Sequence, residues 1–430
     1  MKFDRFRAWR RLVSALLYTK WSRTRASRDL AADSTCWSAA QRLPPELVED
    51  ICRFLVSSYL NEQFPFPKDE CALQRFRHAT AGQFALSCAL SSCRSWYRGG
   101  IPVLYLYPVL SSSRVIKLFS RTLAKTRDLS ALVQHVVIMV YLPSDSGTSV
   151  SLKTKQEFQR ALDSLSVLLP SISPLSSLII FNYHRSTQAT TVLTGTSAST
   201  LRTLVIDGGP FLVDDAPPSP LLTLPNLVTL SLHTVSFTAE YSFPSLPQLK
   251  TLQIVDCMVL GHGRALTIPS VSLPALTCLE LYDNFSYVHI EEACLQKLET
   301  FHHVGSHPEY VKCWTHCHTL RHLAFIHDAD WVLPADIWLP PSLNSLTLCI
   351  TLPGIHAHPQ LRSNMIAIVR SGRVKTVTIL FSKNSFSQAK IRFLKETSSL
   401  LRDADGIICD IADYSFETWV SERLGIAVKT

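Results

Sequence analysis

Leu249-Lys250-Thr251-Leu252-Gln253-Ile254-Val255-Asp256-Cys257-Met258-Val259 is the stretch whose reading decides the fold. Its spacing is L-x-x-L-x-I-x-x-C-x-V. Leu252 and Ile254 lie two residues apart, so an extended chain points both to one face. Leu249 reaches the same interior from the preceding turn, and Cys257 suits a tight corner that admits only a small side chain. One such unit cannot bury its apolar face alone, whereas stacked copies can.

Copies run through most of the chain. Leu201-Arg202-Thr203-Leu204-Val205-Ile206, Leu227-Val228-Thr229-Leu230-Ser231-Leu232 and Leu276-Thr277-Cys278-Leu279-Glu280-Leu281 repeat the core, the last followed by Asn284 at the corner. Three copies share a lead-in, Leu224-Pro225, Leu246-Pro247 and Leu273-Pro274. Weaker copies begin at Leu175, Leu298, Leu320, Leu343 and Val374. Successive starts (175, 201, 227, 249, 276, 298, 320, 343, 374) are 26, 26, 22, 27, 22, 22, 23 and 31 residues apart. Most of these steps fall in the range of about 20–29 residues of leucine-rich repeats. The expected fold is therefore α/β, an irregular leucine-rich-repeat solenoid with parallel strands on the concave face and helices and loops on the convex face. The repeats are placed at 171–385, with a capping segment at 386–430. A bridge at 109–170 holds helical stripes at Ser113–Ala124 and Lys155–Leu169, and a first irregular strand at Val133–Ile138.

Composition agrees with a stacked architecture. The 430 residues exceed one ordinary compact core, and a solenoid escapes that limit because each repeat touches only its neighbours. Charged residues make up 18%, below the usual quarter or so, which points to a well-buried interior. The net charge of +8 is local: residues 1–30 carry nine Lys/Arg against Asp4 and Asp29, a net of +7, and the rest is close to neutral. A nucleic-acid-binding body is not expected. The basic head, 1–40, reads either as a solvated tail or amphipathic helix or as a transit-like import segment. No apolar run reaches the length of a membrane span. Twelve cysteines are scattered without a paired framework and no secretory signal stands before them, so the expectation is a reduced protein of the cytoplasm or nucleus.

Between head and repeats, Pro45 suits a first helical turn and Glu46, Glu49 and Asp50 favour the positive helix start. Leu47, Ile51, Phe54 and Leu55 recur at helical spacing as one apolar stripe. A second helical pattern runs from Phe84 to Trp96 and Tyr97 and stops at Gly99-Gly100, with Ile101–Tyr107 expected as an extended exit. Leu43-Pro44-Pro45-Glu46-Leu47-Val48-Glu49-Asp50-Ile51 resembles the opening helix of an F-box. Leu86–Trp96, with Cys93-Arg94-Ser95-Trp96 at its end, resembles the closing part, and Ile101-Pro102-Val103-Leu104-Tyr105 the tail leading into repeats. The resemblance covers 41–108 and departs from the family by an insertion at about 61–80. With the repeats behind it, the chain resembles F-box and leucine-rich-repeat proteins of fungal type.

That resemblance implies a small all-α domain docking on the Skp-type adaptor of a cullin ubiquitin ligase while the repeats hold a protein substrate. Leu43, Pro44, Glu46, Leu47, Ile51, Leu55, Leu90 and Trp96 are the residues it assigns to adaptor binding. A helix-in-groove mode fits a short apolar stripe. The alternative is that the stripe only caps the first repeat, leaving a stand-alone interaction scaffold.

No catalytic signature such as H-E-x-x-H, G-x-S-x-G or a phosphate-cradling glycine loop is present. Cys313-Trp314-Thr315-His316-Cys317-His318 lies among seven histidines within 302–327, which keeps a metal-dependent enzyme as a third reading. No catalytic, metal-binding or cofactor-binding residue is assigned. If positions four and six of each repeat face inward, positions three, five and seven line the concave sheet. The substrate-facing candidates are then Thr229, Ser231, His233, Thr251, Gln253, Glu280, Tyr282, His302 and His322, a mixed polar set suited to a protein or peptide.

Overall fold

The structure is a computed structural model that describes residues 43–61, 86–91, 94–140, 152–172, 175–182, 200–208, 224–237, 241–260, 265–282, 284, 287–304, 310–314, 316–327, 339–350, 374–381 and 408–415. The head at 1–40, most of the 61–80 insertion and much of 386–430 lie outside these residues. The elements are, in order, helix α1 (Pro45–Asn61), α2 (86–90), α3 (Arg94–Leu106), strand β1 (Val109–Leu110), α4 (Ser113–Lys125), α5 (Arg127–Ser130), β2 (His135–Val140) and α6 (Leu152–Leu168). There follow β3 (Ser177–Asn182), β4 (Thr203–Asp207), β5 (Thr229–His233), β6 (Ser236–Phe237), β7 (Thr251–Val255), β8 (Met258–Val259), β9 (Leu266–Ile268) and β10 (Cys278–Tyr282). The chain continues through β11 (Val288–Ile290), α7 (Glu292–Leu295), β12 (Thr300–Val304), α8 (Tyr310–Trp314), β13 (His322–His327), β14 (Ser345–Ile350), β15 (Thr376–Phe381) and β16 (Ile408–Ser415).

The fold is a leucine-rich-repeat solenoid. One parallel sheet of twelve strands runs β1-β2-β3-β4-β5-β7-β10-β12-β13-β14-β15-β16. All nine sequence-derived repeats begin their strand at position three, and the nine pair in one unshifted register from Ser177 to Thr376. Val133 precedes a strand of the same kind, with His135 opposite Ser177. The sheet also continues past the expected repeat region at both ends, through β1 and β16.

The register has a local cause. The carbonyl of position two accepts the amides of positions two and three of the next repeat. Lys250 O takes Thr277 N (3.0 Å) and Cys278 N (2.9 Å), and the same double bond recurs at each step from Gln134 O to Asn344 O. Just upstream, position one donates to the residue three before it, as in Leu227 N to Leu224 O and Leu249 N to Leu246 O. This tight turn drops Leu224, Leu246 and Leu273 into the interior with positions one, four and six, and together they form one continuous core. The corner after the strand is also shared. Gly208, Thr234 and Asp256 all stand at position eight with positive φ (84°, 52° and 56°). For Thr234 that conformation is strained, and its hydroxyl donates to Asp207 Oδ1 at 2.8 Å. Asn284 closes the neighbouring corner: its Nδ2 donates to Ile254 O and its Oδ1 accepts from Cys257 N, both at 3.0 Å. Cys257 is buried there as expected, its thiol pushed up to about 12 by burial.

The convex side changes along the chain. Ile116, Phe119 and Leu123 of α4 and Phe158, Ala161, Leu162 and Leu165 of α6 cover the first repeats, on the stripes read from the sequence. Further on, the short parallel pairs β6–β8 and β9–β11 and the single-turn helices α7 and α8 take over.

The N-terminal helices correct two expectations. Ile101–Tyr107 is not an extended exit: α3 runs through Gly99, Gly100 and Pro102 to Leu106. The glycines do not stop the helix; they let it approach α1. A Cβ on Gly99 would lie 2.8 Å from the Pro45 carbonyl oxygen and 3.1 Å from Val48 Cβ. The buried face of α1 is Val48 and Cys52, which form a separate small core with Leu86, Leu90 and Val103. Leu47 of the apolar stripe is 50% exposed, and Ile51 is half-buried. Tyr105 stacks on Phe119 (6.2 Å, 18°) and Tyr107 on His135 (4.6 Å, 9°), fastening α3 to the first repeat.

Two substitutions test these contacts. Gly99→Ala gains about 1 kcal/mol of helix propensity, but backbone cannot yield to the new methyl, so a net loss of about 1–2 kcal/mol is expected in denaturant unfolding. Asn284→Ala removes both side-chain hydrogen bonds at the corner and should cost about 2 kcal/mol. Asn284→Asp keeps the acceptor and should cost less.

Candidate functional site

The concave face does not present all three odd positions to solvent. Thr229, Thr251 and Gln253 are half-buried and His322 is exposed, but Ser231, His233, Glu280, Tyr282 and His302 are buried. This corrects the reading of those five as open substrate-facing residues. The physical reason is that they satisfy one another across the strands.

Ser231 Oγ donates to Gln253 Oε1 (2.7 Å) and so takes its 2.6 Å contact from His233 Nε2 as an acceptor. Gln253 Nε2 donates to Glu280 Oε2 (3.0 Å), and the Tyr282 hydroxyl donates to the same oxygen (3.2 Å). His302 Nδ1 lies 3.4 Å from Glu280 Oε1 and 3.2 Å from the Tyr282 hydroxyl. The Cys278 thiol completes the set at 3.7 Å from Oε1. Every proton in the run points toward Glu280, the terminal acceptor. A carboxylate only 6% exposed needs such donors, because burial without them would cost several kcal/mol. Burial alone pushes the Glu280 carboxyl up; the hydrogen bond and charge of His302, then Tyr282 and Gln253, outweigh it and hold the group below its ordinary 4.5.

Among the described residues the His/Cys stretch does not converge on one point. Cys313 and Cys317 sit one turn apart, Cys317 donates to the Cys313 carbonyl at 3.3 Å, and burial pushes the two thiols up to about 11 and about 12. His302 and His303 are buried in the sheet, while His316 faces Glu292 at the surface at 3.1 Å. Among the described residues, no three His, Cys, Asp or Glu side chains converge as metal ligands.

The residues assigned to adaptor binding divide into two groups. Pro44, just before α1, and Glu46 and Leu47 in its first turn are exposed, and Ile51 is half-buried. Leu90 is 7% exposed inside the small helical core, and the half-buried Leu43 and Trp96 pack against that core. The side chain of Leu55 lies outside the described residues. Tyr97, 56% exposed on α3, is a further large apolar side chain at the surface of the helical domain.

No family model matches the chain, and no curated protein matches it. Among solved structures it is similar to an internalin from Listeria monocytogenes, at 12% identity over 73% of this chain and 98% of that one, with a TM-score of 0.24. It is also similar to the mouse RP105/MD-1 complex, at 13% identity over 66% of this chain and a TM-score of 0.26. The match spans 53% of the latter chain, about half its length. The solenoid is established by its strand register, not by these likenesses. No described helix is long and apolar enough to cross a membrane.

Glu280→Gln tests the buried run. A carboxyl held below its ordinary value contributes stability that is present above about pH 4.5 and lost as pH falls through the depressed value. Wild type should exceed the variant by about 1–3 kcal/mol at neutral pH. Urea unfolding at descending pH should show that gap closing below the ordinary carboxylate range.

Proposed function

We propose that the chain is the substrate receptor of a Skp-cullin-F-box type ubiquitin ligase, similar to the fungal F-box and leucine-rich-repeat proteins. In this reading α1 docks on the Skp-type adaptor, the repeats hold a protein substrate, and the chain itself performs no catalysis. The observation that carries it is the two-sided character of α1. Val48 and Cys52 anchor one side in a small core of the helical domain's own, while Leu47, Pro44 and Glu46 of the F-box-like motif stand out at the surface. A helix serving only to cap the first repeat would turn its apolar motif residues inward. An exposed leucine on a well-anchored helix suits a groove on a partner. The solenoid behind it supplies an extended surface for a second protein.

Co-purification tests the proposal. The full chain should capture a Skp-type adaptor, and Leu47→Glu should abolish capture while leaving the thermal melt unchanged, because the side chain is half exposed. A wild-type chain that captures no adaptor would leave a stand-alone repeat scaffold as the better description.

A further inference from the structure

The widest unclaimed feature along the sheet is the row at position two, just before each strand. Arg202, Lys250, Arg321 and Lys375 occupy it, and all four are exposed. None makes an ion pair or a side-chain hydrogen bond with any described residue. From Gln134 to Lys375 the row contains one acid, Glu299. Beside it runs position three, where Thr203, Thr229, Thr251 and Thr300 are half-exposed and their hydroxyls are likewise unengaged.

These side chains are placed by backbone. The carbonyl of each position-two residue takes two amides of the next repeat, so both rows advance in step with the sheet. Seven strand steps separate Arg202 from Lys375. At about 4.8 Å per step the row is about 34 Å long, which an extended polypeptide of about ten residues would span.

We infer that this row is the docking line for an extended, acidic polypeptide segment, its Asp and Glu carboxylates meeting the four cations and taking hydrogen bonds from the threonine hydroxyls. The inference rests on the reading of the repeats as a receptor and specifies what they receive. Charge complementarity decides the partner. The neighbouring side chains at positions five and seven from Ser231 to His302 are closed on themselves around Glu280, so what the row offers beside them is four cations and the threonine hydroxyls against the single exposed carboxylate of Glu299. Single-stranded nucleic acid is disfavoured, since binding it draws on exposed aromatic platforms, and Tyr282 and His302 of the concave face are buried.

The test uses the full chain and a fluorescein-labelled decapeptide of alternating Glu and Ser, read by anisotropy at low salt. The wild type should bind it, should not bind the Lys-Ser counterpart, and should weaken as salt rises. Arg202→Glu, Lys250→Glu and Arg321→Glu together should weaken binding at least about tenfold with an unchanged thermal melt. A charge-matched control, Arg114→Glu, Lys117→Glu and Arg121→Glu on convex α4, should leave binding intact. The inference is overturned if the wild type does not bind the peptide, if the concave reversals leave affinity unchanged, if the convex reversals weaken it equally, or if an oligonucleotide of equal charge competes as well as the unlabelled peptide. Leu47→Glu separates the two proposals: it should lose the adaptor and keep the peptide. Peptide binding by a chain that never captures adaptor would sink the ligase reading alone.

Discussion

The doubled hydrogen bond at position two is the constraint on which the rest of the molecule depends. A backbone carbonyl has two acceptor directions, and here both are used by the following repeat. That arrangement leaves no freedom for a one-residue slip, which would turn every inward leucine toward solvent. It also explains why repeats of unequal length coexist. Steps of 22 to 31 residues differ only in what lies between the end of one strand and the lead-in of the next. Helices, short strand pairs or longer loops can fill that interval without disturbing the sheet.

A leucine-only interior would be enough to stack the repeats, yet the middle of the concave face holds a carboxylate with its donors. Such groups contribute less to raw stability than well-packed apolar side chains can, and their geometry is far more exacting. Glu280 needs Gln253 on one neighbouring strand and His302 on the other, with Tyr282 beside it on its own strand. With Ser231 donating to Gln253, the run thus ties four successive repeats through side chains as well as backbone, around the region where the convex side has lost its long helices.

The sheet was legible in the sequence because its cause is local and repeated: a leucine at position one, inward residues at four and six, and the same turn before each. Where that signal thins, so does legibility. β16 was missed because Gly406 stands where position one would carry an apolar residue, although Cys409 and Ile411 fall in register with Val377 and Ile379. The extent of α3 was missed because Gly99-Gly100 followed by Ile-Pro-Val-Leu-Tyr reads as a breaker and a strand, whereas the glycines answer to a helix elsewhere in the chain. Burial of Ser231, His233, Glu280 and His302 was out of reach of alternation alone, since the pattern gives a side chain's face but not which neighbours will satisfy it. The cationic row escaped for a related reason: position two precedes the strand, and a period of two does not describe it.

The stacked rings of Tyr105 on Phe119 and Tyr107 on His135 have a mechanical meaning. They join the N-terminal helices to the first repeat through flat aromatic faces rather than a slack tether. The junction therefore acts as a bracket. Anything gripping α1 sets the bearing of the entire sheet, whose eleven inter-strand steps carry the far end about 50 Å away. Cargo resting along such an arm would meet its surroundings at a set distance and angle, and the number of repeats would determine the reach.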